Sequence, residues 1–204
     1  LGQGAYSSYR MGRIDRLIQE KLDAGEKVSQ MDMKNFQANN QLQDAMLIMP
    51  HIKNAMSRAG ASDAWPGIAQ FLANPKIHEV AALFEAWDYS TPTGITEGYD
   101  PGDNPFDLKA PDDAEVSNSV AATVYSVWRS MAVRNTIDAT IDGIDSAIGS
   151  AVLGPQRPGS TLSFNAFKNL LDQFDTMHGY GASGVNFFTN PEAPSAADAR
   201  AYVL

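Results

Sequence analysis

The stretch Tyr9-Arg10-Met11-Gly12-Arg13-Ile14-Asp15-Arg16-Leu17-Ile18 decides how the rest of the chain is read. Met11, Ile14, Leu17, Ile18 and Leu22 recur at helical spacing, and side chains three and four apart stack into one apolar stripe. Arg10, Arg13 and Arg16 lie three residues apart, so they climb the same helix as a slowly drifting basic ridge. Asp15, Glu20 and Asp23 supply partners for part of that charge. On spacing alone the ridge is a solvated face with ordinary ion pairs.

Working outward, Gly25 is a natural stop for this helix, and Ser29 with Asp32 forms a capping-box pattern in which Asp replaces the usual Glu or Gln. One long helix is expected from about Gln30 towards Arg58. Met33, Phe36, Leu47 and Met49 give it apolar character, and Gln37, Asn40 and Asp44 fall on a common face. That polar stripe suits a binding site, or equally side chains that cap loops and bond to a neighbouring helix. Pro50 removes a backbone donor and is expected to kink or break the helix. Five of the eight methionines lie between Met31 and Met56, which suits the filling of irregular core gaps.

Ser62 or Asp63 is positioned to cap a short helix through Leu72, and Asn74-Pro75 starts another, with Pro75 at the first helical position. Ile77, Val80, Ala81, Phe84 and Trp87 form its expected buried stripe, and the periodicity stops at Asp88. Residues 89–115 form an irregular, acidic, Pro- and Gly-rich loop. Its aspartates do not follow the alternating positions of an EF-hand calcium loop. Helical period returns at about Val116, where Val116, Val120, Val124, Val127, Trp128 and Met131 make an apolar face. It continues weakly through Ile137, Ile141, Ile144 and Ile148. Asp138, Asp142 and Asp145 share a face there and read as its solvated side. Phe164, Phe167, Leu170, Leu171 and Phe174 outline a further helix, residues 177–194 a Gly-rich loop, and Ser195 the cap of a last helix. The fold class is therefore mainly α, one helical domain over 1–204 with about six or seven helices.

Composition narrows the function. Lys and Arg number 15 against 24 Asp and Glu, a formal net charge of −9, so nucleic acid is not an expected partner. The absence of cysteine removes disulfides, thiol nucleophiles and thiolate metal sites together. No apolar run approaches the roughly 18–20 residues that span a bilayer, so no membrane partner is expected either. His51, His78 and His178 are far apart, with no second histidine at ligand spacing. No Gly-x-Ser-x-Gly elbow is present, and Gly179–Gly184 lacks the Lys-Ser/Thr ending of a phosphate loop. Residues and spacing by themselves describe a mostly helical domain and no complete catalytic machine.

Three short motifs taken in order carry a resemblance. Tyr9-Arg10-x-x-Arg13-Ile14-x-x-Leu17-Ile18, then Gln37-x-Asn39 and Pro50, then Ala86-Trp87-Asp88 resemble the large chain of the penicillin amidase (penicillin acylase) family of N-terminal-nucleophile hydrolases. The resemblance covers most of residues 6 to 135. It implies that the chain is an internal segment of the large chain, a fragment of a larger α+β enzyme whose N-terminal serine lies outside it. Such an enzyme would cleave N-acyl amides such as β-lactam acyl side chains or acyl-homoserine lactones. The implied partners are the remainder of the large chain, the small chain of the same processed enzyme, and the acyl-amide substrate. No cofactor is implied within this segment, the family's calcium ligands fall elsewhere in the full enzyme, and a periplasmic or secreted location follows by analogy. One catalytic residue is implied inside the segment: Arg10, at the position of the family's arginine beside the catalytic amine. Arg13 reads as a structural partner on the same ridge. The sequence departs from the family at Asn39, where aspartate is common, and in the long insertion around Asp100. The alternative is a helical scaffold or interaction module without catalysis.

Overall fold

A computed structural model describes residues 9–96, 100, 103–104, 106–148 and 160–204. Among them the fold is mainly α. No strand is present beyond a single antiparallel bridge between Tyr180 and Asn186. The helices are α1 (Tyr9–Asp23), α2 (Gln30–Ala38), α3 (Gln43–Ala59), α4 (Pro66–Ala69, extended by a 3-10 turn Gln70–Ala73), α5 (Pro75–Ala86), α6 (Asp113–Val133), α7 (Ala139–Ala147), α8 (Ser160–Asp172), α9 (Phe174–Met177) and α10 (Ala196–Val203). No helix among the described residues is long and apolar enough to cross a membrane.

Local chemistry sets several boundaries. Gly25 takes φ 72°, which lets its N–H reach Leu22 O (2.9 Å) and the Glu26 N–H reach Lys21 O (3.0 Å), closing α1. The Ser29 hydroxyl accepts from the Asp32 N–H at 3.1 Å, and the Asp32 carboxylate accepts from the Ser29 N–H at 2.9 Å, so the capping box starts α2. Asn74 Oδ1 accepts from the Lys76 N–H ahead of α5, beside Pro75 at its first position. Ser195 caps α10 through the Asp198 N–H.

Three expectations are corrected. The long helix from Gln30 to Arg58 is two helices, because Asn39 turns extended (φ −62°, ψ 122°) and its side chain accepts from the Gln41 N–H at 3.1 Å. That Asx turn competes with the helical bond and stops α2, so Gln37, Asn40 and Asp44 share no helix face. Of the kink or break expected at Pro50, the break does not occur, because α3 runs through it. Neither Ser62 nor Asp63 caps α4; Trp65 occupies that place without a side-chain bond, and Asp63 pairs with Arg58 at 2.9 Å instead. The apolar face of α6 is also reassigned. Val116, Val120, Val127 and Met131 are between 44 and 57% exposed, while Ala121, Ala122, Tyr125, Ala132 and Val133 are buried. Helix α6 meets α7 through a π turn, Arg134–Asp138, where the buried Thr136 hydroxyl donates to Ala132 O at 2.7 Å.

Contacts divide the described residues into two compact units: those of 9–46 with 82–125, and those of 47–81 with 126–204. The first has a core of Phe36, Ala45, Phe84, Trp87, Ala121 and Tyr125. The Trp87 ring lies 6.2 Å from Phe84, 5.4 Å from Tyr89 and 5.5 Å from Tyr125. The second is built on Phe167, Phe174 and Phe188, with Phe188 stacked on Phe167 and edge-on to Phe174. The Gly-rich loop delivers Phe188 there. Gly179 takes φ 86°, and a Cβ on it would meet Asn186 Oδ1 at 2.9 Å and Phe188 at 3.1 Å.

Candidate functional site

Helix α1 carries the basic ridge on a backbone that buries none of its residues fully. Arg13 and Arg16 both turn to one point, the turn between α2 and α3. Arg13 Nη1 donates to the Gln41 carbonyl at 2.8 Å, and Arg16 Nη2 donates to Gln41 Oε1 at 3.0 Å. Arg16 also pairs with Glu20 at 2.7 Å. Burial lowers the Arg13 pKa from its ordinary value, and the nearby Arg10 and Arg16 charges lower it further. Arg10 differs from both. It is exposed, and no hydrogen bond or ion pair joins it to another described residue.

Gln41 is the hub of this arrangement. Its Nε2 donates to the Asp88 carbonyl at 3.0 Å, so one side chain spans α1 and the exit of α5. The exit strand is pinned around it. Leu42 N–H donates to Tyr89 O at 2.8 Å, and the Thr91 hydroxyl donates to Asn40 O at 2.8 Å. Asp88 Oδ1 accepts from the Ser90 N–H at 2.8 Å, and Trp87 Nε1 donates to Ser90 O at 2.8 Å. Tyr89 sits at φ 68°, a left-handed conformation that a tyrosine holds only when its surroundings over-determine it. Those surroundings are the Leu42 bond and the Trp87 ring.

The structure therefore gathers residues from three separate stretches of sequence. Arg13, Arg16, Asn39 and Asp88 meet around Gln41, Trp87 lies next to Asp88 in the chain, and Gln37 is exposed. Gln41 itself was not singled out by spacing, because its partners lie 25 to 47 positions away and no periodicity relates them. The only local sign is the Asn39-x-Gln41 turn.

Elsewhere the titratable groups serve structure. Arg58 Nε donates to the buried Asp198 at 2.9 Å and, with the Ser195 hydroxyl, holds that carboxyl below the usual carboxylate range. Arg200 is buried, 4.4 Å over the Phe174 ring, and donates to Asn54 Oδ1 at 2.7 Å and Asp175 Oδ1 at 3.3 Å. His51 lies 3.7 Å from Asp172, with burial pulling its pKa down and Asp172 pulling it up, and His78 contacts Leu72 O at 2.9 Å. Ser163 donates to Asp138, on the helix edge that carries Asp142 and Asp145. In the acidic loop Asp100 accepts from the Thr93 N–H and hydroxyl; residues 97–99, 101–102 and 105 of that loop lie outside the described residues. No group of three or more His, Asp or Glu among the described residues could hold a metal ion.

Comparison with known proteins gives one result. The family model described as penicillin amidase matches residues 1–203. Neither the curated proteins nor the solved structures give a match. The match spans the whole of α1 to α10, including all three stretches that meet at Gln41, and the chain belongs to the penicillin amidase family, a family of amide hydrolases.

Proposed function

We propose that the chain is the helical part of an N-acyl amide hydrolase whose nucleophile is an N-terminal serine outside residues 1–204, and that Arg10 acts on that serine's α-amine. In such a reaction the amine takes the hydroxyl proton as the serine oxygen attacks the amide carbonyl. It then passes that proton to the leaving amine. It must be unprotonated to begin. A fixed cation a few ångströms away disfavours the ammonium form and frees the lone pair. A guanidinium keeps its own charge at any working pH, so it can hold that role permanently.

The observation that carries this reading is the division among three arginines of one ridge. Arg13 and Arg16 are committed to Gln41, and Arg10 is exposed with no described partner. Acyl amides such as β-lactam side chains and acyl-homoserine lactones fall within the proposed substrate class. The remainder of the large chain and the small chain would complete the acyl pocket, in a periplasmic or secreted enzyme.

The test is substitution in the intact enzyme. Arg10→Ala is expected to lower kcat by roughly 100-fold, the lower end of what general acid–base catalysis contributes. The thermal midpoint should hold, since Arg10 is exposed at a helix start. Arg10→Lys should recover little, because an ammonium lacks the planar fork. Arg13→Ala and Arg16→Ala should cost less. Equal losses at all three would make the ridge structural, and normal turnover in Arg10→Ala would leave the non-catalytic scaffold.

A further inference from the structure

Helix α1 has an unusual attachment for an element that carries a proposed catalytic group. None of its residues is fully buried, and Met11 and Leu22 at opposite ends of its apolar stripe are exposed. The middle of the stripe, Ile14, Leu17 and Ile18, is only half-buried, so packing is helped by polar contacts in fixing the rotation of α1 about its own axis. Apart from the Lys21–Asp32 pair near its C-terminal end, the bonds that the basic side chains of α1 make to other elements converge on one residue. The Gln41 backbone carbonyl takes Arg13, its Oε1 takes Arg16, and its Nε2 reaches across to the Asp88 carbonyl. Arg13 is one turn beyond Arg10 and Arg16 two turns beyond, so holding both sets the direction in which Arg10 leaves the helix.

We infer that Gln41 is a positioning residue: its side-chain amide fixes α1 against the α5 exit and so aims Arg10. This rests on the proposed role of Arg10. Gln41 is suited to the task because its amide offers both an acceptor and a donor. Its backbone is anchored in a turn held twice, where the Gln41 N–H donates to Asn39 Oδ1 and the Leu42 N–H donates to Tyr89 O. Gln41 is also neutral. It restrains Arg13 without cancelling its charge, whereas Arg16 is already paired with Glu20, so the field of Arg13 near Arg10 is preserved. A carboxylate there would restrain the ridge and weaken that field together.

The test is a double-substitution cycle on kcat in the intact enzyme. Gln41→Leu removes the side-chain bonds to Arg16, Asn39 and Asp88 and leaves the backbone carbonyl that holds Arg13. It is expected to lower kcat about 10-fold, within the 10²-fold that a displacement near 1 Å can cost. The acid limb of its pH–rate profile should move upward, in the same direction as for Arg10→Ala, because a misaimed cation no longer depresses the amine. In the Arg10→Ala background Gln41→Leu should have no further effect on kcat. Gln41→Met is neutral and close to glutamine in length, and it loses the side-chain bonds with less loss of packing; it is the milder variant if Gln41→Leu does not fold. It too must be without effect once Arg10 is absent. An equal fold-loss in both backgrounds, or unchanged kcat and acid limb in the Arg10-containing enzyme, overturns the inference while leaving the proposed function standing. Normal turnover in Arg10→Ala overturns both.

Discussion

Helices α10 and α1 both carry arginines, and the molecule treats them in opposite ways. On α10, Arg200 is buried against the Phe174 ring, bonded to Asn54 and Asp175, two positions after an Asp198 that is itself buried against Arg58. On α1, no residue is fully buried, Arg13 and Arg16 are held by a neutral turn residue, and Arg10 is left outside the network. A charge sunk among aromatic rings and acceptors is spent on holding a helix in place. A charge kept exposed on a helix that is clamped from one side remains available to act. The comparison teaches that, of the three arginines on α1, the one to test is Arg10, which is exposed and joined by no hydrogen bond or ion pair to another described residue.

The largest expected effect tests the aromatic support beneath the polar clamp. Trp87 is 4% exposed among Phe84, Tyr89 and Tyr125, and it precedes Asp88, whose carbonyl holds Gln41. Trp87→Ala in the intact protein is expected to cost roughly 3–5 kcal/mol of stability. An unchanged melting temperature would show that the clamp stands without it.

A second effect sharpens the contrast from the α10 side. Asp198 has a carboxyl depressed first by Arg58, so its stabilising contribution is full above the unfolded carboxylate value, near 3.9. That contribution is lost as pH falls through the lower folded value. Arg58→Gln should therefore destabilise most at neutral pH, and its gap from wild type should narrow below about pH 4. A gap of constant size from pH 7 to pH 3 would mean the pair is incidental. The smallest effect lies at the start of α2. Ser29→Ala should cost about 1 kcal/mol, and the Asp32 carboxyl, held at about 2 chiefly by the Ser29 hydroxyl, should return towards its ordinary value. An Asp32 titration by NMR that stays at about 2 in the variant would contradict the capping account.

These features differ in how far the sequence revealed them. Gly25, the Ser29–Asp32 box, Asn74-Pro75 and the Trp87-Asp88 exit are local: each works through backbone groups within a few residues, so the spacing contains the whole signal. The break at Asn39–Leu42 escaped because an asparagine inside a helix and one starting an Asx turn read alike until the turn finds its partners, here Tyr89 and Asp88. The valine stripe of α6 is an apolar face, as its spacing indicates, and its Val116, Val120 and Val127 are exposed. Periodicity locates an apolar face, and the neighbours decide which face is covered, here the one with Ala121, Ala122 and Tyr125. The ridge of Arg10, Arg13 and Arg16 was legible as a spacing. Gln41 was not, since its contacts are made by three segments that only the fold unites.

The most direct test of the central claim is the pH–rate profile of Arg10→Ala against wild type in the intact enzyme, followed on kcat/KM with an N-acyl amide substrate. If Arg10 keeps the nucleophile's amine unprotonated, its removal raises that pKa and the acid limb moves to higher pH. The limbs of Arg13→Ala and Arg16→Ala should move less. An Arg10→Ala enzyme whose acid limb coincides with that of wild type would contradict the assignment.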